Sequence, residues 1–417
     1  MNSHHSHRTR TLWLSGILHA FTHLYQVALL PLYFLILRDK DLHVANIEEA
    51  TFLVTVLMLS YFIPAYPVGV LADRFSKRKL LALGLGLNGL GFVGLALSHT
   101  YAQAIVCMMI SGAGGSAYHP AASALIARLY PEATGRAFGL LGIGASVGFF
   151  IGPAYTGWRG MAAAAGWRQP VLELGLAGVV MAFLFYKFAD EEPEHVMQQG
   201  RVASGEKLFA NPVMWGVFLL SAFAFSLRDF TGSSMGSLGS LFLQKAHHLD
   251  PGITGWILST IFVASAISNP LFGRLSDKGL VKWTIVALST AGLVVVAFPH
   301  LPVKISGFAL AFYGFFFMAS YPMVEGALMA AMPHHFRGRV FGIFLTVGRI
   351  VGNLAHWLMG AYVKHLGSAS AHVESYYGIY AMLGLLIGLS LIGLPCLLAV
   401  NRRESIPMAT QLSTQKS

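Results

Sequence analysis

The sequence predicts an all-α membrane protein: twelve transmembrane helices arranged as two six-helix bundles that repeat one another. Three observations predict it. The 417 residues are 55% hydrophobic and only 11% charged, with a mean hydropathy of +0.62, where a soluble globular chain carries about 25% charged residues. Apolar runs long enough to cross a bilayer, about 20 residues as a helix, recur along the whole chain. The second half also restates motifs of the first at a nearly constant spacing. Lipid as solvent accounts for the composition, because an ionised group facing hydrocarbon is costly and an exposed Leu is not.

The first six predicted spans are Leu12–Leu37, Ala50–Ala72, Leu80–Ser98, Ala102–Leu129, Ala137–Trp158 and Pro170–Phe188. The second six are Pro212–Leu243, Thr254–Leu275, Trp283–Phe298, Ile305–Ala331, Val340–Val363 and Tyr376–Val400. Between the sets lies a polar stretch with Asp190, Glu191, Glu192, Pro193 and Glu194. The domain reading is therefore an N-terminal bundle over residues 1–188, a cytoplasmic linker over 189–210, a C-terminal bundle over 211–400 and a cytoplasmic tail over 401–417. The loops are short, so no extramembrane domain is expected to host separate chemistry. The first apolar run is too long for a cleavable signal, and no small-residue cleavage site follows it. Cys107 and Cys396 fall in distant apolar runs and read as buried thiols without a disulfide framework.

The formal charge of +10 is spread in short clusters between the spans and is no sign of nucleic-acid binding. Of the 28 Lys and Arg residues, 19 lie in the termini and in the loops on the side the termini share. That asymmetry places both termini in the cytoplasm, and a bacterial cytoplasmic (inner) membrane is the expected location.

The halves repeat at an offset of 204 residues. Gly69 and Asp73-Arg74 after span two recur as Gly273 and Asp277-Lys278 after span eight; Gly144 and Gly148 in span five recur as Gly348 and Gly352 in span eleven. Gly135-Arg136, Phe138 and Gly139 recur one residue short of that offset as Gly338-Arg339, Phe341 and Gly342. Six-span halves in parallel repeat are a transporter architecture with a site near mid-depth between the halves.

These residues resemble the major facilitator superfamily over nearly the whole chain. The superfamily's loop motif corresponds to Gly69, Asp73, Arg74, Lys77 and Arg78, with a weaker second copy at Gly273, Asp277, Lys278 and Lys282. The resemblance implies a cytoplasmic gate, in which the Asp latches helices in one state of alternating access. Positive-inside bias alone would explain the basic residues but not the repeated Gly and Asp. Gly144, Gly148, Gly152-Pro153 and Gly157 in span five resemble the superfamily's antiporter motif, and read without it are a close-packing stripe. Within the superfamily the chain resembles the fosmidomycin-resistance branch of proton-linked efflux proteins, through Tyr118-His119-Pro120 and His19 with Gln26. Thr22-His23 stands where that branch has Asn-Asp, Ala121 where it has Glu, and Met108 near the superfamily's Arg in span four. The resemblance therefore carries no substrate.

An ionisable side chain within a span costs about 2.5–3.5 kcal/mol on insertion scales and turns toward a cavity or a partner. Span one has His19 and His23, span four His119, span seven Arg228 and Asp229, span ten Glu325, span eleven Arg349 and His356. Spans one, four, seven and ten are those the resemblance places around the central cavity. His19, His23 and Gln26 share one helical face, as do Ser116, His119 and Ser123, and Arg349, Asn353 and His356. The expected substrate or proton cavity is thus His19, His23, Gln26, His119, Arg228, Asp229, Glu325, Arg349, Asn353 and His356; the competing reading is a charge network gluing the halves together. Coupled protons would reside on Asp229, Glu325 or a histidine, and Glu325 corresponds by the repeat to Ala121.

Other signals are set aside. His19 and His23 alone are two ligands, which do not make a metal site, so no metal and no cofactor is expected. His4, His5 and His7 read as a flexible surface cluster, and His247-His248 and His334-His335 lie at span ends. Gly84, Gly86 and Gly89 lack the strand a dinucleotide fold needs, Gly232 to Gly236 lacks the strand-turn-helix context of a hydrolase nucleophile, and no phosphate-loop Gly-Lys-Ser/Thr occurs. The leading expectation is a secondary transporter, not an enzyme: a proton-coupled exporter of a small organic molecule, functional as a monomer in the lipid bilayer. The alternatives are an importer of an organic anion or metabolite and, from another class, a non-transporting membrane sensor or scaffold.

Overall fold

Among the described residues the structure is helices joined by short turns. The computed structural model describes residues 2–130, 132–162, 166–190, 209, 212–330 and 337–399, and no strand occurs among them. Span one combines α1 (Asn2–Val27), a 3-10 turn at Leu30–Leu32 and α2 (Tyr33–Leu37); the break falls at Pro31, which has no N–H to continue the ladder. Span two is α3 (Ile47–Phe62) and α4 (Ala65–Arg74), broken at Ile63 and Pro64. Span three is α5 (Lys77–Ala96) and span four is α6 (Tyr101–Gly115) with α7 (Tyr118–Leu129). Spans five and six are α8 (Thr134–Ala162) and α9 (Arg168–Phe188). The second half follows as α10 (Pro212–Lys245), α11 (Pro251–Val263) with α12 (Ser265–Ser276), α13 (Leu280–Ala297), α14 (Ser306–Ala330), α15 (Arg337–Leu366) and α16 (Tyr377–Ser390).

Nine stretches of the described residues are long and apolar enough to cross a membrane. The three remaining predicted spans, α3–α4, α6–α7 and α15, are helical too, but they are broken or carry charge. One expectation needs correction: α1 begins at Asn2, so the segment bearing His4, His5 and His7 extends the helix backbone and is not a loose tail. Extending an existing helix adds one bond per residue fixed, whereas starting one does not. The predicted linker apart from Ala189, Asp190 and Phe209, the tail, and His334-His335 lie outside the described residues.

The repeat foreseen from sequence is visible in local geometry. Asn46 caps α3 by accepting from the Glu49 N–H at 3.3 Å, and Asp250 caps α11 from the Ile253 N–H at 2.9 Å, 204 residues later. Just ahead of each cap, His43 and His248 take left-handed φ values of 54° and 56°. An Asx cap preceded by a left-handed residue thus starts the second span of each half, with one residue fewer between them in the second.

Small residues let the helices touch backbone to backbone, as membrane bundles require when lipid supplies no hydrophobic drive between helices. On α5 and α9, a Cβ at Gly89 would stand 2.7 Å from the Gly175 carbonyl oxygen, and one at Gly175 would stand 2.8 Å from that of Gly89. Gly144, Gly148 and Gly152 of α8 lie against the backbone of Gly16, Ala20 and Leu24 in α1. Their repeats on α15 lie against α10, where Gly348 and Gly352 make room for Asp229. The span-five stripe therefore serves as close packing along most of its length, and Gly157 extends it across the seam to Pro251 and Gly255.

The two halves meet along α8 with α11 and α3 with α15. One end of that seam is bonded shut. The Tyr33 and Ser237 hydroxyls are 2.7 Å apart, Gln244 donates to the Pro31 carbonyl at 3.1 Å, and Thr55 donates to the Asn353 carbonyl at 3.1 Å. Glu48 accepts from the Trp357 indole at 2.7 Å and from Lys364 at 2.8 Å. These bonds lie on one side of the level where Ser146 meets Ser265 at 3.3 Å and Phe149 stacks on Phe262. Beyond that level Gly139, Gly142, His119, Ser123 and Gly326 are exposed. At the closed end Asp39 ties the first loop to Arg168 and Trp167. Burial opposes its charge, but those two donors and the Leu42 N–H outweigh it and hold the carboxyl below its usual range.

The close approaches predict an asymmetric response to one methyl group. Gly89→Ala and Gly175→Ala are each expected to destabilise the bundle by about 1–3 kcal/mol, the cost of overpacking. Gly142→Ala, where a Cβ meets nothing within 4 Å, should leave stability unchanged. Thermal unfolding of the detergent-solubilised variants measures both.

Candidate functional site

At the mid-depth of the seam two clusters of polar side chains face each other. The N-terminal cluster is built on one face of α1 and on the break in span four. α6 stops at Gly115 and α7 restarts at Tyr118, so Tyr118 and His119 sit at a helix start beside α1. The Tyr118 hydroxyl donates to the Ser15 carbonyl at 2.9 Å and fixes that docking. The His19 ring stacks on Tyr118 at 4.6 Å and meets His119 edge-on at 5.4 Å. His19 Nδ1 lies 2.7 Å from the Leu141 carbonyl, His19 Nε2 lies 3.0 Å from His23 Nε2, and His23 Nδ1 lies 3.0 Å from Gln26 Oε1. His23 also packs on Phe149, which reaches Phe262 of the other half.

The C-terminal cluster joins α10, α14 and α15. Arg228, 2% exposed, donates from Nε to Asp229 Oδ1 at 3.0 Å, with its NH2 at 2.9 Å from the same oxygen. Its guanidinium lies over the Tyr321 ring at 4.1 Å and its NH1 reaches Ser320. Arg349 approaches Asp229 Oδ2 at 4.0 Å, lies over Tyr321 at 5.0 Å and faces Phe62 of the first half at 5.8 Å. Glu325, one helical turn past Tyr321, feels the charges of Arg349, Arg228 and Asp229. Arg228 and Arg349 thus share the Asp229 carboxylate, and such pairing is how charges survive away from water. Arg349 faces Phe62 and His23 packs on Phe149, so each cluster reaches an aromatic ring at the seam.

Eight of the ten expected cavity residues come together in these clusters: His19, His23, Gln26, His119, Arg228, Asp229, Glu325 and Arg349. The other two have a different place. Asn353 donates to the Arg349 carbonyl and its own carbonyl accepts from Thr55; His356 Nδ1 lies 2.7 Å from Ser237 Oγ, which continues to Tyr33. Both are buried in the closed end of the seam, along the stripe that starts at Arg349. Sequence reasoning missed Tyr321, Phe62 and Phe149, aromatic residues that look like any core ring; the four-residue spacing of Tyr321 and Glu325 was the signal for the first.

The loop motif is docked in one copy and open in the other. A Cβ at Gly69 would rest 3.7 Å from Pro120, Lys77 is buried, and Arg78 donates to the Ala189 carbonyl at 3.3 Å while facing Tyr186. The Asp73 and Arg74 side chains lie outside the described residues. Asp277 and Lys278 are exposed, and a Cβ at Gly273 meets nothing within 4 Å.

A buried pair broken on one side leaves an uncompensated charge. Asp229→Asn is expected to cost about 3–5 kcal/mol, and adding Arg228→Met should recover most of the loss, both read by thermal unfolding in detergent.

Comparison with known proteins gives the family and the fold. A family model described as Major Facilitator Superfamily matches residues 12–356. The probable L-galactonate transporter of Escherichia coli (strain K12) is 23% identical over 59% of this chain, a match spanning 56% of that protein. The quinolone resistance protein NorA of Staphylococcus aureus (strain MRSA252) is 23% identical over 79% of this chain and 83% of its own length. The crystal structure of a bacterial homolog to the human lysosomal transporter Spinster, inward-facing and unoccupied, superposes with a TM-score of 0.74 at 15% identity, over 96% of this chain and 98% of that one. At that identity the likeness is one of fold.

Proposed function

The chain belongs to the major facilitator superfamily and is a membrane transporter, not an enzyme; from that premise we propose that it is a proton-coupled exporter of a small organic molecule, working by alternating access. The observation that carries the proposal is the pair of clusters facing one another at mid-depth, one from each half, beneath a seam bonded at one end. The quinolone-resistance relative, matched over most of its length, favours export. The basic loops belong to the unbonded end, so by positive-inside bias that end opens to the cytoplasm of a bacterial inner membrane. Both clusters come from one chain, which supports action as a monomer.

Glu325 is the coupling acid in this reading. Asp229 is engaged by Arg228 and Arg349, whereas among the described residues Glu325 makes no hydrogen bond or ion pair. A carboxyl held among two guanidinium groups gains or loses its proton as those groups turn toward a solute or back toward it. Gly69 packed on the start of α7 and the docked Arg78 support a gating role for the first loop motif, with Asp73 and Arg74 as its expected latch. A second reading, import of an organic anion, is favoured by Arg349, which stays 28% exposed at its side chain and presents a cation to the cavity.

Two measurements test the proposal. In everted vesicles from cells overproducing the chain, an imposed pH gradient should drive uptake of at least one member of a panel of fluoroquinolones, cationic dyes and sugar acids. Glu325→Gln should abolish that gradient-driven uptake while leaving solute exchange intact; unchanged gradient-driven uptake by a folded Glu325→Gln protein overturns the assignment. At the closed end, Glu48→Gln removes the charge that Lys364 meets. That end should then label faster with a thiol reagent at an engineered Trp357→Cys, by several-fold over Trp357→Cys alone.

A further inference from the structure

The fold adds a third imidazole to the two that α1 carries. One ligating nitrogen from each of His19, His23 and His119 lies within 4.8 Å of the others. In a tetrahedral zinc complex with bonds of 2.0–2.1 Å, neighbouring nitrogens stand ~3.3 Å apart, so modest side-chain rotation closes the set.

The hydrogen bonds behind the rings decide which nitrogens can bind an ion. The Leu141 carbonyl can only accept, so His19 carries its proton on Nδ1 and leaves Nε2 as a bare lone pair. Gln26 presents its Oε1 to His23 Nδ1, and its own Nε2 is buried without a partner. With Gln26 Oε1 as its acceptor, His23 donates from Nδ1 as well and leaves its Nε2 bare; with the amide turned over, His23 Nε2 donates to His19 instead. In the first arrangement two lone pairs stand 3.0 Å apart, and a positive centre between them would relieve their repulsion. A shared proton would satisfy two nitrogens but has no use for the third ring, whereas a metal ion uses all three. The backing of the His19 and His23 rings by a carbonyl and an amide oxygen is also what orients metal-ligating histidines.

We propose that His19, His23 and His119 bind a divalent transition-metal ion, with its remaining coordination position open to the central cavity. Three neutral imidazoles with no carboxylate suit zinc, cobalt, nickel or copper and not magnesium or calcium. His119 is the exposed member of the set, which puts the open position on the solute side, opposite Arg349. The site goes beyond the proposed export function and stands whether or not that reading holds, because binding is measured without transport.

The test is cobalt chloride titration of the full chain in detergent, without an affinity tag and with His4, His5 and His7 replaced by Ala to remove the N-terminal cluster. One equivalent should bind, with the visible bands of four-coordinate cobalt, and zinc should displace it. His19→Ala, His23→Ala and His119→Ala should each weaken binding at least ~10-fold, and Gln26→Leu by about 10–100-fold as a loss of ring support. His119→Cys should keep the metal and add a thiolate-to-cobalt charge-transfer band. In the unmutated histidine set, zinc should protect His119 from diethyl pyrocarbonate, read by peptide mass spectrometry, a measurement that needs no substitution in the site. Absence of stoichiometric cobalt binding, affinity unchanged in all three Ala variants, or no protection of His119 overturns the proposal.

Discussion

A charge removed from water into the middle of a bilayer must find an opposite charge or an oriented dipole within a few ångström. That requirement organises this molecule. Arg228 rests on Asp229 and Tyr321, Arg349 shares the same carboxylate, and Gly348 and Gly352 exist where they do because Asp229 occupies the space a side chain would fill. The cluster draws α10, α14 and α15 together. The imidazoles opposite meet the same demand with carbonyl and amide oxygens in place of charges.

Much of this was legible in the sequence, because lipid makes composition unusually informative. A polar residue in an apolar span has few places to go, so the positions of His19, His23, Arg228, Asp229 and Glu325 foretold a shared interior. The repeat was equally legible, since Gly and Asp seldom recur at one offset by chance. Helical periodicity misplaced His356 and Asn353: they do lie on the stripe with Arg349, but a stripe two turns long passes from the cavity into the closed seam. Periodicity gives the face of a helix and not the depth. That His119, expected in the same cavity, would bring a ligating nitrogen close to those of His19 and His23 was not legible, for another reason. Its proximity depends on a break between α6 and α7 and on the Tyr118 bond to Ser15, and neither is local in sequence.

The repeat also sets the frame in which the two different clusters stand. Gly148 lies on Ala20 of α1 and Gly352 on Asp229 of α10, so in both halves the same glycine of the repeat packs on the first helix of its half. What differs is the chemistry hung there, titratable rings at His19 in one half and fixed cation–carboxylate pairing at Arg228 and Asp229 in the other. A scaffold repeated in this way keeps its packing while the side chains it carries diverge.

The contacts at Ser146 with Ser265 and at Phe149 with Phe262 lie where the bonded part of the seam gives way to the exposed part. If the halves rock, this level is the fulcrum. Separations across it would stay nearly constant while those at the two ends lengthen and shorten in opposition, as with the arms of a balance. The flat stacking of the two phenylalanine rings, only 11° apart, is suited to that position. Parallel faces can slide and roll over a small arc without losing contact, where an interlocked side chain would have to let go.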